Sequence, residues 1–323
     1  MGRVFSGARP TGRQHIGNYI GAIKNYVALQ DEFECFYCVV DLHALMSLNR
    51  EENLRENTYE MVLDWLASGL DPSRSAILLQ SRVPEHAEIH LILSMVTPMG
   101  WLTRVPTFKE KVRQQPDNVN YGLLGYPVLM AGDIILYKAD TVPVGEDQLP
   151  HLELTREIVR RFNTVFGETF PEPYAKLTAQ PRVLGIDGVQ KMSKSLNNHI
   201  ELSASPIETE KRVKSMMTDP ARIYRKDPGH PEVCNVYSLH KFYSPAELEE
   251  IGHDCRTAQI GCVDCKKKLA RNLNHSLEPF RERRAAFASD PNYVWDVLAE
   301  GSARARAVAQ KTMAEVRAKV GLG

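Results

Sequence analysis

The chain has no surplus of charge of either sign, since 40 lysines and arginines balance 40 aspartates and glutamates among 323 residues. This balance argues against a nonspecific binder of polyanions, although it allows a local basic patch. The N-terminal residues lack the apolar core of a signal peptide, and no apolar run approaches the length that spans a bilayer. We therefore expect a cytoplasmic protein with no membrane partner, whose six cysteines are reduced.

The first half of the chain alternates short apolar segments with amphipathic ones, which predicts a parallel sheet covered by helices. The predicted strands are 3–6, 35–40, 75–80 and 142–144, and the predicted helices are 17–30, 51–69, 126–137 and 303–320. From 202 to 287 the pattern is helical, with no strand signal. The predicted fold is α/β, with a Rossmann-like doubly wound parallel sheet and a mainly helical second domain. The predicted boundaries are 1–195, 196–290 and 291–323, the last being helices that pack back on the first domain.

A glycine- and proline-rich segment joins the first predicted strand to a helix. It resembles a Walker loop, but Gly12 is followed by Arg13 and the required Gly-Lys-Ser/Thr ending is missing. His15, Gly17 and Asn18 instead stand at the helix start. A helix N-terminus attracts phosphate, the two polar side chains add donors, and glycine leaves room for a flat base. The pattern predicts a nucleotide site, although a structural turn has the same composition.

A second candidate phosphate site is the segment 191–195, which reads Lys-Met-Ser-Lys-Ser. Its two lysines supply mobile positive charge, and such donors stabilise charge that develops on a leaving pyrophosphate. An exposed basic loop is the alternative interpretation.

The predicted helix 126–137 carries Tyr126, Met130 and Asp133 on one face. Pro127 suits the first turn of such a helix. An acid in an apolar helix is costly to bury unless a partner meets it. A second pair, His86 and His90, has the spacing of a zinc helix, but Ala87 and not a glutamate follows His86, so the metalloprotease motif fails. We expect these two histidines to be surface or structural residues.

Four cysteines lie in the predicted helical domain with the spacing C-x20-C-x6-C-x2-C. They are Cys234, Cys255, Cys262 and Cys265. Four thiolates can hold Zn²⁺ or a [4Fe–4S] cluster, and spacing alone does not choose between them. Basic residues at 266–268 and between 211 and 226 would suit phosphate contacts, or form a solvated helix face.

Together, segments 15–18 and 191–195 resemble the HIGH and KMSKS signatures of class I aminoacyl-tRNA synthetases. Asn18 in place of the second histidine is typical of the tryptophanyl and tyrosyl branch. The segments 40–44 and 145–148 are also family-like. The resemblance covers essentially the whole chain and is closest to bacterial tryptophanyl-tRNA synthetases. A subset of that family resembles the cysteine pattern and carries [4Fe–4S], which is therefore favoured over zinc.

The resemblance also implies the residues of the active site. The implied catalytic residues are His15, Asn18, Lys191 and Lys194. The implied ATP-binding residues are Arg9, Pro10, Thr11, Gly17, Asn18, Gly145, Glu146, Asp147, Leu184, Lys191, Met192, Ser193, Lys194 and Ser195, with Lys109 and Lys111 as extra phosphate contacts. The implied tryptophan-binding residues are Phe5, His43, Tyr126, Met130, Asp133, Val142, Val144 and Gln148. Among these, Asp133 is expected to accept the indole N–H.

The implied function is a tryptophan–tRNA ligase that makes Trp-AMP and then charges tRNA(Trp). ATP arrives with Mg²⁺, the helical domain binds the anticodon, and the protein is a homodimer. Two alternatives are a tyrosyl-tRNA synthetase and an inactive Fe–S paralogue that binds RNA.

Overall fold

The computed structural model describes residues 1–47, 53–114, 116–177 and 183–322, and for 47, 107, 111 and 114 the backbone alone. Within these residues, five parallel strands form one sheet in the order β3-β2-β1-β4-β5. The strands are β1 Arg3–Ala8, β2 Glu34–Val39, β3 Ser75–Leu79, β4 Thr141–Val144 and β5 Tyr174–Leu177. The predicted parallel sheet is confirmed, and β5 is an addition to the prediction.

Helices cover the sheet and continue beyond it. In the described residues they are α1 Ile16–Asn18, α2 Lys24–Leu29, α3 Asp41–Ala44, α4 Leu54–Ala67, α5 Glu85–Val96, α6 Met99–Arg104, α7 Pro106–Gln114, α8 Tyr121–Ile135, α9 Leu149–Phe166, α10 Pro206–Lys214, α11 Asn235–Tyr243, α12 Leu248–Arg256, α13 Cys262–Ala288 and α14 Tyr293–Val320. A π-helical segment, Tyr19–Ile23, joins α1 to α2, so the predicted helix 17–30 is continuous but locally widened. Of the described helices, none is long and apolar enough to cross a membrane.

Helix α8 begins earlier than the predicted 126–137. The Asn120 side chain accepts a hydrogen bond from the Leu123 amide at 3.0 Å, which caps the helix at this point. Pro127 therefore lies in the helix interior, and its predicted place in the first turn was wrong. The earlier start adds a full turn before Tyr126.

The sheet order places a switch point between β1 and β4. β1 pairs with β2 on one side, Phe5 opposite Phe36, and with β4 on the other, Val4 opposite Thr141. In open parallel sheets, ligands bind outside the carboxyl ends of the strands at such a point. The loops after β1 and β4 carry residues 9–15 and 145–148, which the sequence analysis singled out.

Residues 202–287 contain helices and no strand, as predicted. They form an apolar core of their own, which Ile16 and Met192 from the two signature segments join. The following helix, α14, packs on β3: the Leu79 amide donates to Ser302 Oγ at 3.1 Å, and a β-carbon at Gly301 would lie 2.0 Å from the Ile77 carbonyl oxygen. Helix α14 thus starts ahead of the predicted 303–320 and covers the far edge of the sheet.

Candidate active site

A cavity of about 440 Å³ opens at the switch point between β1 and β4. All eight residues predicted to bind the amino acid line it, namely Phe5, His43, Tyr126, Met130, Asp133, Val142, Val144 and Gln148. Arg9 and Gly145, from the predicted ATP-binding set, also line this cavity. The cavity therefore contains the predicted amino-acid site and reaches only the edge of the predicted ATP set, whose other twelve residues do not line it.

The buried carboxylate of Asp133 is the polar centre of this cavity. Its Oδ2 atom lies 2.8 Å from His43 Nε2, and its Oδ1 atom lies 2.7 Å from His86 Nδ1. The Gln80 side-chain amide also donates to Oδ1 at 2.8 Å. Asp133 therefore has the partners that an acid in an apolar helix requires. A carboxylate offers about four acceptor positions, so it can accept a further N–H from a ligand.

Burial opposes the ionisation of Asp133, but hydrogen bonds from His43 and His86 outweigh it and lower its pKa to about 2. The carboxylate is therefore ionised at every working pH. It is a fixed hydrogen-bond acceptor facing an apolar cavity, which suits a ligand that carries one N–H on a flat apolar ring.

Gln80 and His86 are partners of Asp133 that the sequence analysis missed. His86, expected to be a surface or structural histidine, is fully buried against Asp133, and its Nε2 atom lies 2.8 Å from the Tyr137 hydroxyl. His90, the other histidine of the pair, has a buried Nδ1 with no partner among the described residues. Elsewhere on the cavity wall, Tyr126 meets His151 Nε2 at 2.8 Å.

The loop after β1 is shaped by its own hydrogen bonds. His15 Nδ1 accepts from the Asn18 amide at 3.2 Å, and the Asn18 side chain accepts from the His15 amide at 3.1 Å, which caps α1. Burial, together with His199, Lys194 and Lys191, lowers the pKa of His15 to about 3. His15 is therefore a neutral side chain at a helix N-terminus.

The segment 191–195 meets the loop after β1 directly. Lys194 Nζ donates to the carbonyl oxygen of Thr11, and to that of Arg13 at 2.7 Å. Gly12, between these carbonyls, has a φ of +77°, which favours glycine. Lys194 thus holds the segment 191–195 against the loop after β1, 181 and 183 positions away in the chain.

Further contacts fix the rest of this segment. The Met192 amide donates to the Val183 carbonyl at 3.0 Å, and Leu184 forms a β-bridge with Lys191. The Ser193 amide donates to Asn198 Oδ1 at 2.7 Å, and its hydroxyl lies 2.8 Å from that of Ser195. The predicted adenine contact, Leu184, therefore lies beside Lys191, a predicted phosphate contact.

Three of the remaining predicted nucleotide contacts, Gly145, Glu146 and Asp147, lie at the end of β4. Gly145 precedes a short 3₁₀ turn that holds Glu146, Asp147 and Gln148, and the Gln148 side chain donates to Asp147 at 2.7 Å. Pro10 is buried in the loop after β1. Lys109 lies on α7, whereas the side chain of Lys111 falls outside the described part of the structure.

The four predicted metal ligands lie around the start of α11, the end of α12 and the start of α13. Burial and the neighbouring thiols raise the pKa of Cys255, and raise that of Cys265 to about 12 with contributions from Cys234, Cys255 and Cys262. Among the described residues, no three His, Cys, Asp or Glu side chains are arranged to hold a metal ion. The thiols are close enough to influence one another electrostatically, but they would have to move closer together to bind one metal ion.

A switch-point cavity, a capped helix start beside it and a lysine segment that packs against the loop after β1 are typical of an ATP-binding enzyme of the Rossmann type. A family model described as tRNA synthetases class I (W and Y) matches residues 2–278. The chain therefore belongs to the class I tRNA synthetase family of the tryptophan and tyrosine enzymes, as the sequence analysis predicted.

Individual relatives match along nearly the whole chain. Tryptophan–tRNA ligases of Deinococcus radiodurans and Thermotoga maritima are each 49% identical to it, and each match covers 99% of both chains. The crystal structure of Campylobacter jejuni tryptophanyl-tRNA synthetase, complexed with ADP and tryptophan, superposes with a TM-score of 0.90 at 35% identity. That match covers 99% of this chain and 100% of the other.

Proposed function

We propose that this chain is a tryptophan–tRNA ligase, which activates L-tryptophan with ATP and transfers it to tRNA(Trp). The observation that carries the proposal is the buried, ionised Asp133 facing the apolar cavity. The predicted function agrees with the names of the full-length relatives at 49% identity.

In the first step, a carboxylate oxygen of tryptophan attacks the α-phosphorus of ATP. The bond from that phosphorus to the bridging oxygen breaks, pyrophosphate leaves with the electron pair, and Trp-AMP remains. No proton has to move, so catalysis consists of positioning and of stabilising negative charge. In the second step, the terminal ribose hydroxyl oxygen of tRNA attacks the carbonyl carbon of Trp-AMP and forms the ester bond. The bond from that carbon to the phosphate oxygen breaks, AMP leaves with the electron pair, and the hydroxyl proton passes to the phosphate of AMP and then to water.

The proposed roles follow from the contacts around the loop after β1. Lys194 would exchange the Thr11 and Arg13 carbonyls for phosphate oxygens, and Lys191 would add charge beside it. Neutral His15 would donate to phosphate without the cost of desolvating a cation, beside the cap formed by Asn18. Magnesium would come with ATP through phosphate oxygens and water.

Tryptophan is favoured over tyrosine by the acceptor at Asp133. The indole N–H is a donor without an acceptor lone pair, which suits a carboxylate that is already ionised. A site built around such a hydrogen bond rejects analogues that lack the donor by about 10⁴ to 10⁵. Phenylalanine lacks the donor, and tyrosine carries its hydroxyl at a different position.

The deciding experiment compares ATP–pyrophosphate exchange driven by tryptophan and by tyrosine. Exchange with tryptophan alone is expected. Exchange with tyrosine and none with tryptophan would establish the tyrosyl alternative, and exchange with neither would favour an inactive paralogue.

We further propose that Cys234, Cys255, Cys262 and Cys265 hold a [4Fe–4S] cluster. Their closeness supports this, because the other three thiols contribute to the raised pKa of Cys265, and neighbouring thiols gain from a shared cation that keeps them ionised. The group would be structural and takes no part in the two steps above. Anaerobic purification should give about four irons and four sulfides per chain; one zinc and no iron would establish the zinc alternative.

Homodimer formation, the three-part domain division and a cytoplasmic location are also proposals. Exposed apolar side chains on and after α5 support the dimer: Leu91 is 57%, Met95 75% and Met99 68% exposed. Sedimentation velocity should report a dimer for the wild type and a monomer for Met95→Glu. A monomeric wild type at micromolar concentration would contradict the proposal.

A further inference from the structure

Asp64, on α4, lies between the nucleotide loop and the helical region of the chain. It is completely buried, and its Oδ2 atom accepts the backbone N–H of Gln14 at 2.5 Å. Its Oδ1 atom accepts from Arg284 Nε, on α13, at 2.6 Å. One carboxylate thus joins the residue before His15 to a helix that belongs to the predicted anticodon-binding part of the chain.

A second carboxylate reinforces the same link. Glu60, one turn earlier on α4, is bound by Arg284 and also accepts from Arg13 Nε at 2.9 Å. Arg13 further approaches Glu201 at 3.9 Å. Arg284 therefore touches both acids that hold residues 13 and 14.

The buried carboxylate depends on these partners. Burial raises the pKa of Asp64 to about 6, against the opposing effects of Arg284 and the Gln14 amide. A buried charge that loses its partner is strongly unfavourable. Without Arg284, Asp64 would take up a proton or leave its position, and either change weakens the hydrogen bond to Gln14.

The position of Gln14 determines the positions of its neighbours Arg13 and His15. The Gln14 carbonyl accepts from the Leu202 amide at 2.9 Å, and the Ile16 amide donates to the Ile200 carbonyl at 3.0 Å. Lys194 donates to the neighbouring Arg13 carbonyl. A shift of Gln14 would therefore move both His15 and the contact point of the lysine loop.

Helix α13 connects the cysteine cluster to Arg284 and so to the nucleotide loop. It has 27 residues, which corresponds to about 40 Å. Cys262 and Cys265 lie in its first turn and Arg284 near its end. A displacement of the cysteine end by bound RNA would reach the nucleotide loop through this helix.

We propose that Arg284 is a positioning residue, which holds the Asp64 carboxylate against the Gln14 amide and so couples helix α13 to the nucleotide loop. The expected effect of Arg284 on ATP kinetics rests on the proposed function, whereas its effect on the Gln14 hydrogen bond does not. Arg284 does not touch the substrates and acts through Asp64.

Arg283 offers a matched control on the same helix. Its Nε atom donates to the Ala67 carbonyl at 2.7 Å, at the C-terminal end of α4, and among the described residues it makes no hydrogen bond to Asp64, Glu60 or residues 9–15. Arg284→Met and Arg283→Met remove the same charge and leave similar volume. Arg284→Lys retains a charge near Asp64 and serves as the conservative variant if Arg284→Met does not fold.

The first measurement is hydrogen exchange at the Gln14 amide in the nucleotide-free protein. Loss of a charge-assisted partner should speed this exchange by about tenfold or more in Arg284→Met, and less in Arg284→Lys. Arg283→Met should match the wild type. Equal protection of Gln14 in the two methionine variants would overturn the proposal.

The second measurement is tryptophan-dependent ATP–pyrophosphate exchange. Arg284→Met should raise the KM for ATP by about tenfold and leave the KM for tryptophan within about twofold. Asp64→Asn should not add to the effect of Arg284→Met, because both act through one hydrogen bond. Additive effects would overturn the coupling. If the wild type shows no tryptophan-dependent ATP–pyrophosphate exchange, the proposed function fails. The hydrogen-exchange rate of the Gln14 amide then still tests the role of Arg284.

Discussion

His86 Nδ1 lies 2.7 Å from Oδ1 of Asp133, and the other ring nitrogen of His86 lies 2.8 Å from the Tyr137 hydroxyl. Because the Asp133 carboxylate is ionised and can only accept, Nδ1 carries the proton. In the neutral ring, Nε2 then accepts from Tyr137. This chain of donors fixes the tautomer of His86 and the rotation of the carboxylate that faces the cavity.

Replacing His86 with leucine should lower kcat/KM for tryptophan by about tenfold, because Asp133 loses one of the donors that orient it. The dissociation constant for ATP should change by less than about twofold, since His86 does not line the cavity. The same variant should lose about 1–3 kcal/mol of unfolding free energy, because the Tyr137 hydroxyl and Asp133 lose a buried partner.

His90→Leu is the control for His86→Leu. His90 lies one turn further along α5, and its Nδ1 has no hydrogen-bond partner among the described residues. A similar fall in kcat/KM for both variants would show that the helix, and not the contact with Asp133, is responsible.

Asp133→Ala should lower kcat/KM for tryptophan by at least about 10², because the only ionised acceptor proposed for the indole N–H is removed. ATP binding, measured by calorimetry without tryptophan, should be nearly unchanged. Unchanged tryptophan-dependent exchange in this variant would remove Asp133 from the amino-acid site.

The sequence predicts the parts of this site that are local in the chain. The capped start at His15, the segment 191–195 and the single acid of α8 each show a residue pattern that spans a few positions. Strands β1 to β4 could be predicted equally well, because each contains a continuous apolar run in the sequence. β5 could not be predicted, since its four residues lie at the sheet edge, where two are exposed and two are partly buried.

The partners of Asp133 could not be predicted in the same way. Gln80 follows β3 and His86 lies on α5, 53 and 47 positions from Asp133, so that only the folded sheet brings them together. One missed signal was available: Asn120 is a favourable N-cap residue and marks the true start of α8.

Lys194→Ala should lower kcat for adenylate formation by about 10² to 10³, the usual effect of removing one donor to a developing charge. The KM for tryptophan should change little, because Lys194 contacts the loop after β1 and does not line the cavity. Rapid-quench measurement of a single turnover isolates this step. Lys176→Ala, which removes a surface pair with Glu32, is the control, and it should behave as the wild type.

The His15 ring should stay neutral at pH values well below those at which a free histidine takes up a proton. Burial and the nearby His199 and lysines lower its pKa from 6.5 to about 3. The unfolded chain binds a proton at this residue below about pH 6.5 whereas the folded protein does not. The contribution of His15 to stability is therefore fully present above pH 6.5 and is lost as the pH falls from 6.5 toward 3. Bound ATP should raise the pKa, since its phosphates favour the charged ring. NMR titration of the His15 ring protons, assigned with His15→Asn, should show no titration between pH 5 and 8 in the free protein. A free-state midpoint near 6.5 would contradict both the burial of this ring and its proposed role as a neutral donor.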